Sequence, residues 1–294
     1  MTILEALNWG RERIKSTLEE KITQGHNPML DAQVLLSYTL KKPTSYLFSH
    51  FEDELPLEKA EIYQGYIERR SKHEPVAYIT GSKEFYKRKF RVNKFVLVPR
   101  PETELMIDEA LKLIDERSTV IDVGTGSGAI AITLAAEKDI PVIATDVDSQ
   151  TLAIARVNAT ELGVTKLISF LEGDLLLPYI KINIHDAQAS NAVICANLPY
   201  ARIQQWPVLD PDVQNYEPKK AIVGGVDGLD FYDRLLQQIE ENRDHFPATI
   251  HLLLEIDPSQ EISGPRLVTE HFPMAKLELL RDLAHKPRLI VAQI

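Results

Sequence analysis

Val120-Ile121-Asp122-Val123-Gly124-Thr125-Gly126-Ser127-Gly128 is a β-prone apolar run that empties into a glycine-rich turn, and a helical stretch at 129–137 follows it. Glycines suit such a turn because the backbone must reverse tightly and approach a ligand with no Cβ in the way. Taken alone the turn is a weak signal. Gly124, Gly126 and Ala129 also satisfy the dinucleotide pattern G-x-G-x-x-A, so a nicotinamide enzyme stays open at this point.

Outward from the turn the same texture repeats. β-rich runs at 119–122, 142–146, 167–170, 192–196 and 249–256 alternate with helical stretches. That alternation predicts a mainly parallel sheet with helices on both faces. Two last runs, 276–280 and 289–292, have no helix between them and predict an antiparallel edge.

In such a sheet ligands sit beyond the carboxyl ends of the strands. Gly124, Thr125, Gly126, Ser127 and Gly128 would cradle the ligand. Asp146 ends the next strand, placed to accept hydrogen bonds from ribose hydroxyls; its plainer reading is a helix N-cap, a job for which Asp148 competes. Asp174 suits an adenine amino group, with Leu175 against the ring. Asp122 stands just before the turn, where a carboxylate fits a ligand with a cationic amino acid tail and would repel a pyrophosphate. This favours S-adenosylmethionine over a dinucleotide.

Asn197-Leu198-Pro199-Tyr200 follows the fourth strand. Methyl transfer from a sulfonium is an in-line displacement, and the enzyme mainly holds a nitrogen close and aligned. An amide or aryl amine nitrogen is a poor nucleophile, its lone pair being delocalised. Two acceptors on its N–H bonds orient that lone pair and relieve developing positive charge. Asn197 Oδ1 supplies one and the Leu198 carbonyl the other. Pro199 holds Leu198 extended, and Tyr200 offers a flat face to a planar group. In isolation Asn-x-Pro-Tyr is only a turn after a strand; following the glycine turn, Asp146 and Asp174 in that order, it reads as a reaction site.

The first third is helical. Thr2-Ile3-Leu4-Glu5 fits a capping box, followed by Leu7, Ile14, Leu18 and Ile22 at helical spacing. Asn27-Pro28 starts a second helix with Leu30, Val34 and Leu35 on its stripe. A third runs over about 57–72, with Ile62, Tyr66 and Ile67 expected inward. From 78 to 98 short β-prone runs read as a hairpin. The expected domains are a helical recognition domain at 1–77, a β-hairpin linker at 78–100 and a catalytic domain at 101–294.

The 294 residues carry a net charge of −10, against a nucleic-acid binder with a basic face throughout. Between Gly65 and Arg100 ten Lys or Arg stand against three Glu, so that segment is +7 and the rest −17. It reads as a solvated hairpin or as a docking surface for an acidic partner. The start lacks the layout of a secretory signal, and no apolar run approaches the roughly 20 residues that span a bilayer. One cysteine, Cys195, excludes an internal disulfide, and the eight histidines have no metal spacing. Cys195 reads as a buried filler and His285 as an exposed turn residue. A cytoplasmic monomer without metal is expected.

Together these residues resemble the HemK/PrmC-type N5-glutamine methyltransferases, which modify the glutamine of the GGQ motif in peptide chain release factors. Glu74-Pro75-Val76-Ala77-Tyr78-Ile79-Thr80-Gly81 with Glu84-Phe85 is similar to that family's linker, and Leu97-Val98-Pro99-Arg100-Pro101-Glu102-Thr103-Glu104 to its signature "LxPRPxTE". Tyr216-Glu217-Pro218, Ala221, Gly225 and Asp227-Gly228-Leu229 resemble the stretch after the reaction site. The resemblance covers nearly the whole chain. It implies a seven-stranded, Rossmann-like class I methyltransferase sheet behind a small helical domain, S-adenosylmethionine as cofactor, and release factors as protein substrates. It also places Arg100, Pro101 and Glu102 near the mouth of the active site, or gives them the plainer job of fixing the linker.

The family's usual motif is Asn-Pro-Pro-Tyr, and here Leu198 takes the second place. Asn-Leu-Pro-Tyr is typical of adenine dimethylases of ribosomal RNA, which sets up adenine-N6 methylation as the alternative. The acceptor at that position is a backbone carbonyl, which leucine supplies as well as proline. Leucine does add an N–H that must find a partner.

Overall fold

The computed structural model describes residues 1–17, 27–182 and 189–294, which divide into two compact units. One holds Met1–Ser82 together with Leu209–Glu217; the other holds Lys83–Val208 and Pro218–Ile294.

The first unit is built from α1 (Ile3–Lys15), α2 (Pro28–Leu40), α3 (Thr44–Ser49), α4 (Leu57–Arg70) and α5 (Val76–Thr80). The capping box at Thr2 and Glu5 is formed, and Asn27 Oδ1 accepts from the Leu30 N–H at 3.1 Å. Leu7, Ile14, Leu35, Tyr63 and Ile67 make the core. Leu18 and Ile22 lie outside the described residues. Two inward faces differ from expectation: Leu30 and Ile62 are exposed, while Leu36 and Tyr63 are buried. On both helices the inward stripe is rotated from the expected one. Residues 76–80, at the edge of the expected hairpin, form α5, closed by Gly81 in the left-handed region.

From Lys83 on, the second unit opens with the hairpin of β1 (Ser82–Phe85) and β2 (Arg88–Arg91), whose two-residue turn, Tyr86-Lys87, has positive φ at both positions. Its main sheet contains β3 (Thr119–Val123), β4 (Val142–Asp146), β5 (Ile168–Glu172), β6 (Ala192–Ala196), β7 (Ile250–Glu255), β8 (Lys276–Arg281) and β9 (Pro287–Gln293). The seven strands run in the order β5-β4-β3-β6-β7-β9-β8. The first five are mutually parallel, and β9 pairs antiparallel with both β7 and β8. Alternate strand residues face opposite layers: Val120, Val193 and Leu253 pack on one side, Ile121, Ile194 and Leu252 on the other. Both faces are therefore covered, by α6 (Glu104–Leu113), α7 (Ala129–Lys138) and α8 (Ser149–Glu161) on one side, and by α9 (Leu177–Ile182), α11 (Asp230–Glu241) and α12 (Ser263–His271) on the other. Between α9 and α11 in sequence lies α10 (Pro211–Tyr216), which belongs to the helical unit.

The chain leaves β3 toward β4 and β5, then returns to β6 on the other side of β3. That reversal opens a crevice at the strand ends. Cys195 sits in β6 directly beside Asp122 of β3, fully buried as expected of a filler. His285 is exposed in the turn between β8 and β9. The division differs from the expected domains in three respects. Residues 78–82 belong with the helices. Residues 83–100 belong with the sheet, and 209–217 belong with the helices, a long-range pairing that local sequence cannot signal.

Candidate active site

The glycine turn closes as its composition requires. Gly124, Gly126 and Gly128 all have positive φ. The backbone N–H groups of Gly124 and Thr125 both donate to the Thr145 carbonyl at 2.9 Å, tying the turn to the end of β4. Asp122 holds it from beneath. Its Oδ2 accepts from the Thr125 hydroxyl at 2.6 Å and the Ala131 N–H at 3.0 Å. The carboxylate is fully buried and does not line the crevice. Oδ2 is thus taken up by the turn it stabilises, while Oδ1 is buried without a hydrogen-bond partner. Burial pushes the carboxyl group up to about 7.

Asp146 lines the crevice. Its Oδ2 accepts from Gly126 N–H and its Oδ1 from Asp148 N–H, both at 3.0 Å. Asp148 caps α8 through Gln150 N–H at 2.7 Å, so the capping job falls to Asp148 and leaves Asp146 to face the crevice. Burial raises Asp146 to about 6. Asp174 lines it too, its carboxylate held by Arg234 and by Gln238 Nε2. Leu175, with positive φ, turns its side chain to the same space.

Asn197, Leu198 and Pro199 form the other wall of this crevice. Asn197 Nδ2 donates to Thr103 Oγ1 at 3.0 Å. The N–H that leucine adds does find a partner: it donates to the Tyr232 hydroxyl at 3.2 Å. A Cβ on Gly124 would stand 2.8 Å from Leu198 Cδ2, so the cofactor turn and the reaction motif are in contact. Behind the motif runs a second glycine loop. A Cβ on Gly224 would lie 2.0 Å from the Pro199 carbonyl oxygen, and one on Gly228 2.0 Å from that of Tyr200. Only glycine lets these backbones approach so closely. Ala201 N–H to the Ile222 carbonyl and Gly224 N–H to the Ala201 carbonyl, each 2.9 Å, fasten the two loops.

Eleven expected residues thus share one crevice: Arg100, Gly124, Thr125, Gly126, Ser127, Asp146, Asp174, Leu175, Asn197, Leu198 and Pro199. Five do not line it. Asp122 and Gly128 lie beneath the turn, and Pro101 and Glu102 are exposed to solvent. Tyr200 turns its hydroxyl inward to Glu255 Oε1 at 3.2 Å and is not among the residues lining the crevice. Sequence reasoning missed the wall formed by Phe95, Val96 and Leu97, and it missed Thr103, Lys220 and Phe231. Thr103 and Leu97 lie within the "LxPRPxTE"-like segment; Lys220, which pairs with Asp148, carries no local signal.

The ligand-facing groups fit S-adenosylmethionine: left-handed glycines for a close backbone approach, Asp146 for a diol, Asp174 and Leu175 for a purine. Among the described residues no group of His, Cys, Asp or Glu could hold a metal ion.

Over its whole length the chain is 32% identical to the release factor glutamine methyltransferase of Bacillus anthracis, covering 100% of both proteins. With the enzyme of the same name from Clostridium acetobutylicum it shares 33% identity, over 95% of this chain and 96% of that one. This chain belongs to the release factor glutamine methyltransferase family. Two family descriptions match parts of it: the PrmC N-terminal domain over residues 5–81, which lies within the helical unit, and the ribosomal protein L11 methyltransferase (PrmA) over 100–203. In fold it is similar to the catalytic domain of hMettl16, solved in complex with a MAT2A 3'UTR hairpin, with a TM-score of 0.54 at 18% identity over 69% of this chain and 74% of that one. This family member is therefore a methyltransferase with the seven-stranded sheet of its class. No helix among the described residues is long and apolar enough to cross a membrane.

Proposed function

We propose that this protein transfers the methyl group of S-adenosylmethionine to the side-chain amide nitrogen, N5, of the glutamine in the GGQ motif of peptide chain release factors, in the cytoplasm. The observation that carries the reading is the meeting of Asn197, Leu198 and Pro199 with the glycine turn, Asp146 and Asp174 in one crevice. When bound, the cofactor supplies an electrophilic methyl on a sulfonium that leaves as a neutral thioether. Everything else is positioning. Asn197 Oδ1 and the Leu198 carbonyl accept the two amide N–H bonds, turning the nitrogen lone pair toward the methyl carbon. The nitrogen forms the N–C bond as the C–S bond breaks, and it sheds one proton to water. Arg100, at the mouth, and Pro101 and Glu102, outside it, contact the substrate peptide around the glutamine, and the helical unit recognises the rest of the release factor.

Methylation of ribosomal RNA is the weaker reading. Four cations of the basic segment are already paired: Arg69 with Glu74, Arg70 with Asp31 and Asp212, Arg88 with Glu137, and Arg91 with Glu161. Such a segment offers phosphates less than its formal charge suggests. Labelled S-adenosylmethionine should be supplied with a release factor, the same factor lacking the GGQ glutamine, and bare ribosomal RNA. Label is expected in the first alone; label in the RNA, or persisting without the glutamine, overturns the reading. Asn197→Ala should abolish transfer while S-adenosylhomocysteine binding survives.

A further inference from the structure

Methyl transfer to an amide, on which this inference rests, asks one specific thing of Asn197. It must present its acceptor Oδ1 to the substrate, not its NH2. The two ends of a primary amide have nearly the same shape, so packing cannot choose between them; hydrogen-bond partners must. The partner here is Thr103 Oγ1, which accepts from Asn197 Nδ2 at 3.0 Å. A hydroxyl can also donate, however, and Thr103 alone would tolerate either orientation.

Behind Thr103 stands the carboxyl group of Glu255, on the last residue of β7 and 1% exposed. Oε1 takes the Tyr200 hydroxyl, while Oε2 has no partner at ordinary hydrogen-bond geometry. The Thr103 hydroxyl faces this carboxyl group and favours its ionised form, without forming a hydrogen bond of ordinary geometry to it. The same residue's backbone carbonyl accepts from Tyr232, whose oxygen receives the Leu198 N–H. One buried residue thus backs Asn197, Leu198 and Tyr200 at once.

We infer that Thr103 and Glu255 form a directional relay that sets which end of the Asn197 amide faces the substrate. An ionised carboxylate only accepts. The Thr103 proton turned toward it leaves the Thr103 lone pairs for Asn197 Nδ2, and Oδ1 is left pointing to the crevice. Both are positioning residues, acting through Asn197. The groups facing Glu255 are Thr103, Tyr200, Tyr232, Arg288 and Glu102. Burial raises Glu255 to about 6, with Arg288 and the hydroxyls opposing. Once protonated, Glu255 can donate to Thr103 and the relay loses its direction.

The test compares Thr103→Val, Thr103→Ser and Glu255→Gln in the full chain. Thr103→Val is expected to lower kcat by about 10–100-fold with unchanged S-adenosylhomocysteine affinity and thermal midpoint. Thr103→Ser should restore the rate. Glu255→Gln should lower kcat and remove the acid limb of its pH profile near 6. Wild-type kcat in Thr103→Val, or a loss matched by lower stability and cofactor affinity that serine does not repair, overturns the relay. A second readout needs no substrate. The 15N side-chain amide signals of Asn197, assigned by their absence in Asn197→Ala, should move in Thr103→Val and Glu255→Gln. If they move while no release factor is methylated, the relay stands and the proposed activity falls. Unmoved signals with glutamine methylation intact overturn the relay and leave the activity standing.

Discussion

The backbone N–H of Leu198 donates to the hydroxyl oxygen of Tyr232 at 3.2 Å, and the Tyr232 hydroxyl donates in turn to the Glu255 carbonyl oxygen. A proline in that place would have no N–H to satisfy. The leucine form of the motif therefore depends on a tyrosine 34 residues away. Tyr232→Phe strands one buried donor and one buried acceptor, at a cost of about 1–3 kcal/mol. Combined with Leu198→Pro, which removes the donor, the same change should cost less. Urea denaturation of the four variants reads the coupling; equal costs in both backgrounds would mean that the bond contributes nothing.

Gly124 links the cofactor turn to the reaction motif. Gly124→Ala forces a side chain into φ +72° and drives its Cβ to 2.8 Å from Leu198 Cδ2. Strain of about 1–2 kcal/mol should weaken S-adenosylhomocysteine binding, and displacement of Leu198 should lower kcat as well. Calorimetry and initial rates separate the two. A variant that loses affinity but keeps full kcat would show that the contact does not transmit.

Asp146 accepts backbone N–H groups on both oxygens, and asparagine would turn its NH2 against one of them. Cofactor affinity in Asp146→Asn should fall about 10–100-fold, as expected for loss of hydrogen bonds to a charged acceptor. Burial raises Asp146 to about 6, so it is ionised above that pH and, in the proposed role, would accept ribose hydroxyls best there. Wild-type affinity should therefore weaken as pH falls through about 6, and the variant's should not. A flat wild-type titration would remove Asp146 from the binding site.

His271 lies between Asp233, 2.8 Å from Nε2, and Glu240, 3.0 Å from Nδ1. Burial pulls the imidazole down, but the two carboxylates outweigh it and its pKa is raised. The charged ring's contribution is full below the unfolded value of about 6.5 and is lost as pH rises through the higher folded value. Both acids are more than half exposed, so it is about 0.5 kcal/mol at most. His271→Gln should erase that slope in unfolding free energy between neutral and mildly alkaline pH; an unchanged slope would assign it elsewhere.

Much of the second unit was legible in the sequence because its signals are local. A β-run into glycines, a carboxylate at the next strand end and Asn-x-Pro-Tyr after the fourth strand each state their geometry within a few residues. The strands came out within one or two positions, since a strand buried on both faces reads as a continuous apolar run. Helix faces were harder. α2 is apolar over much of its surface, and on α4 the stripe is wide enough to be centred in more than one way; Leu30 and Ile62 stand exposed while Leu36 and Tyr63 go inward.

By itself the sequence determined that parallel strands would carry a glycine turn, Asp146, Asp174 and Asn197 to one rim, because the carboxyl ends of parallel strands all lie on the same side of the sheet. Only the tertiary structure decided how those side chains are used. Asp122 points beneath the turn, Tyr200 points inward, and Thr103 and Glu255, far apart in the chain, gather behind Asn197. The orientation of a side chain depends on hydrogen-bond partners brought from distant parts of the chain, and no local pattern of residues records them.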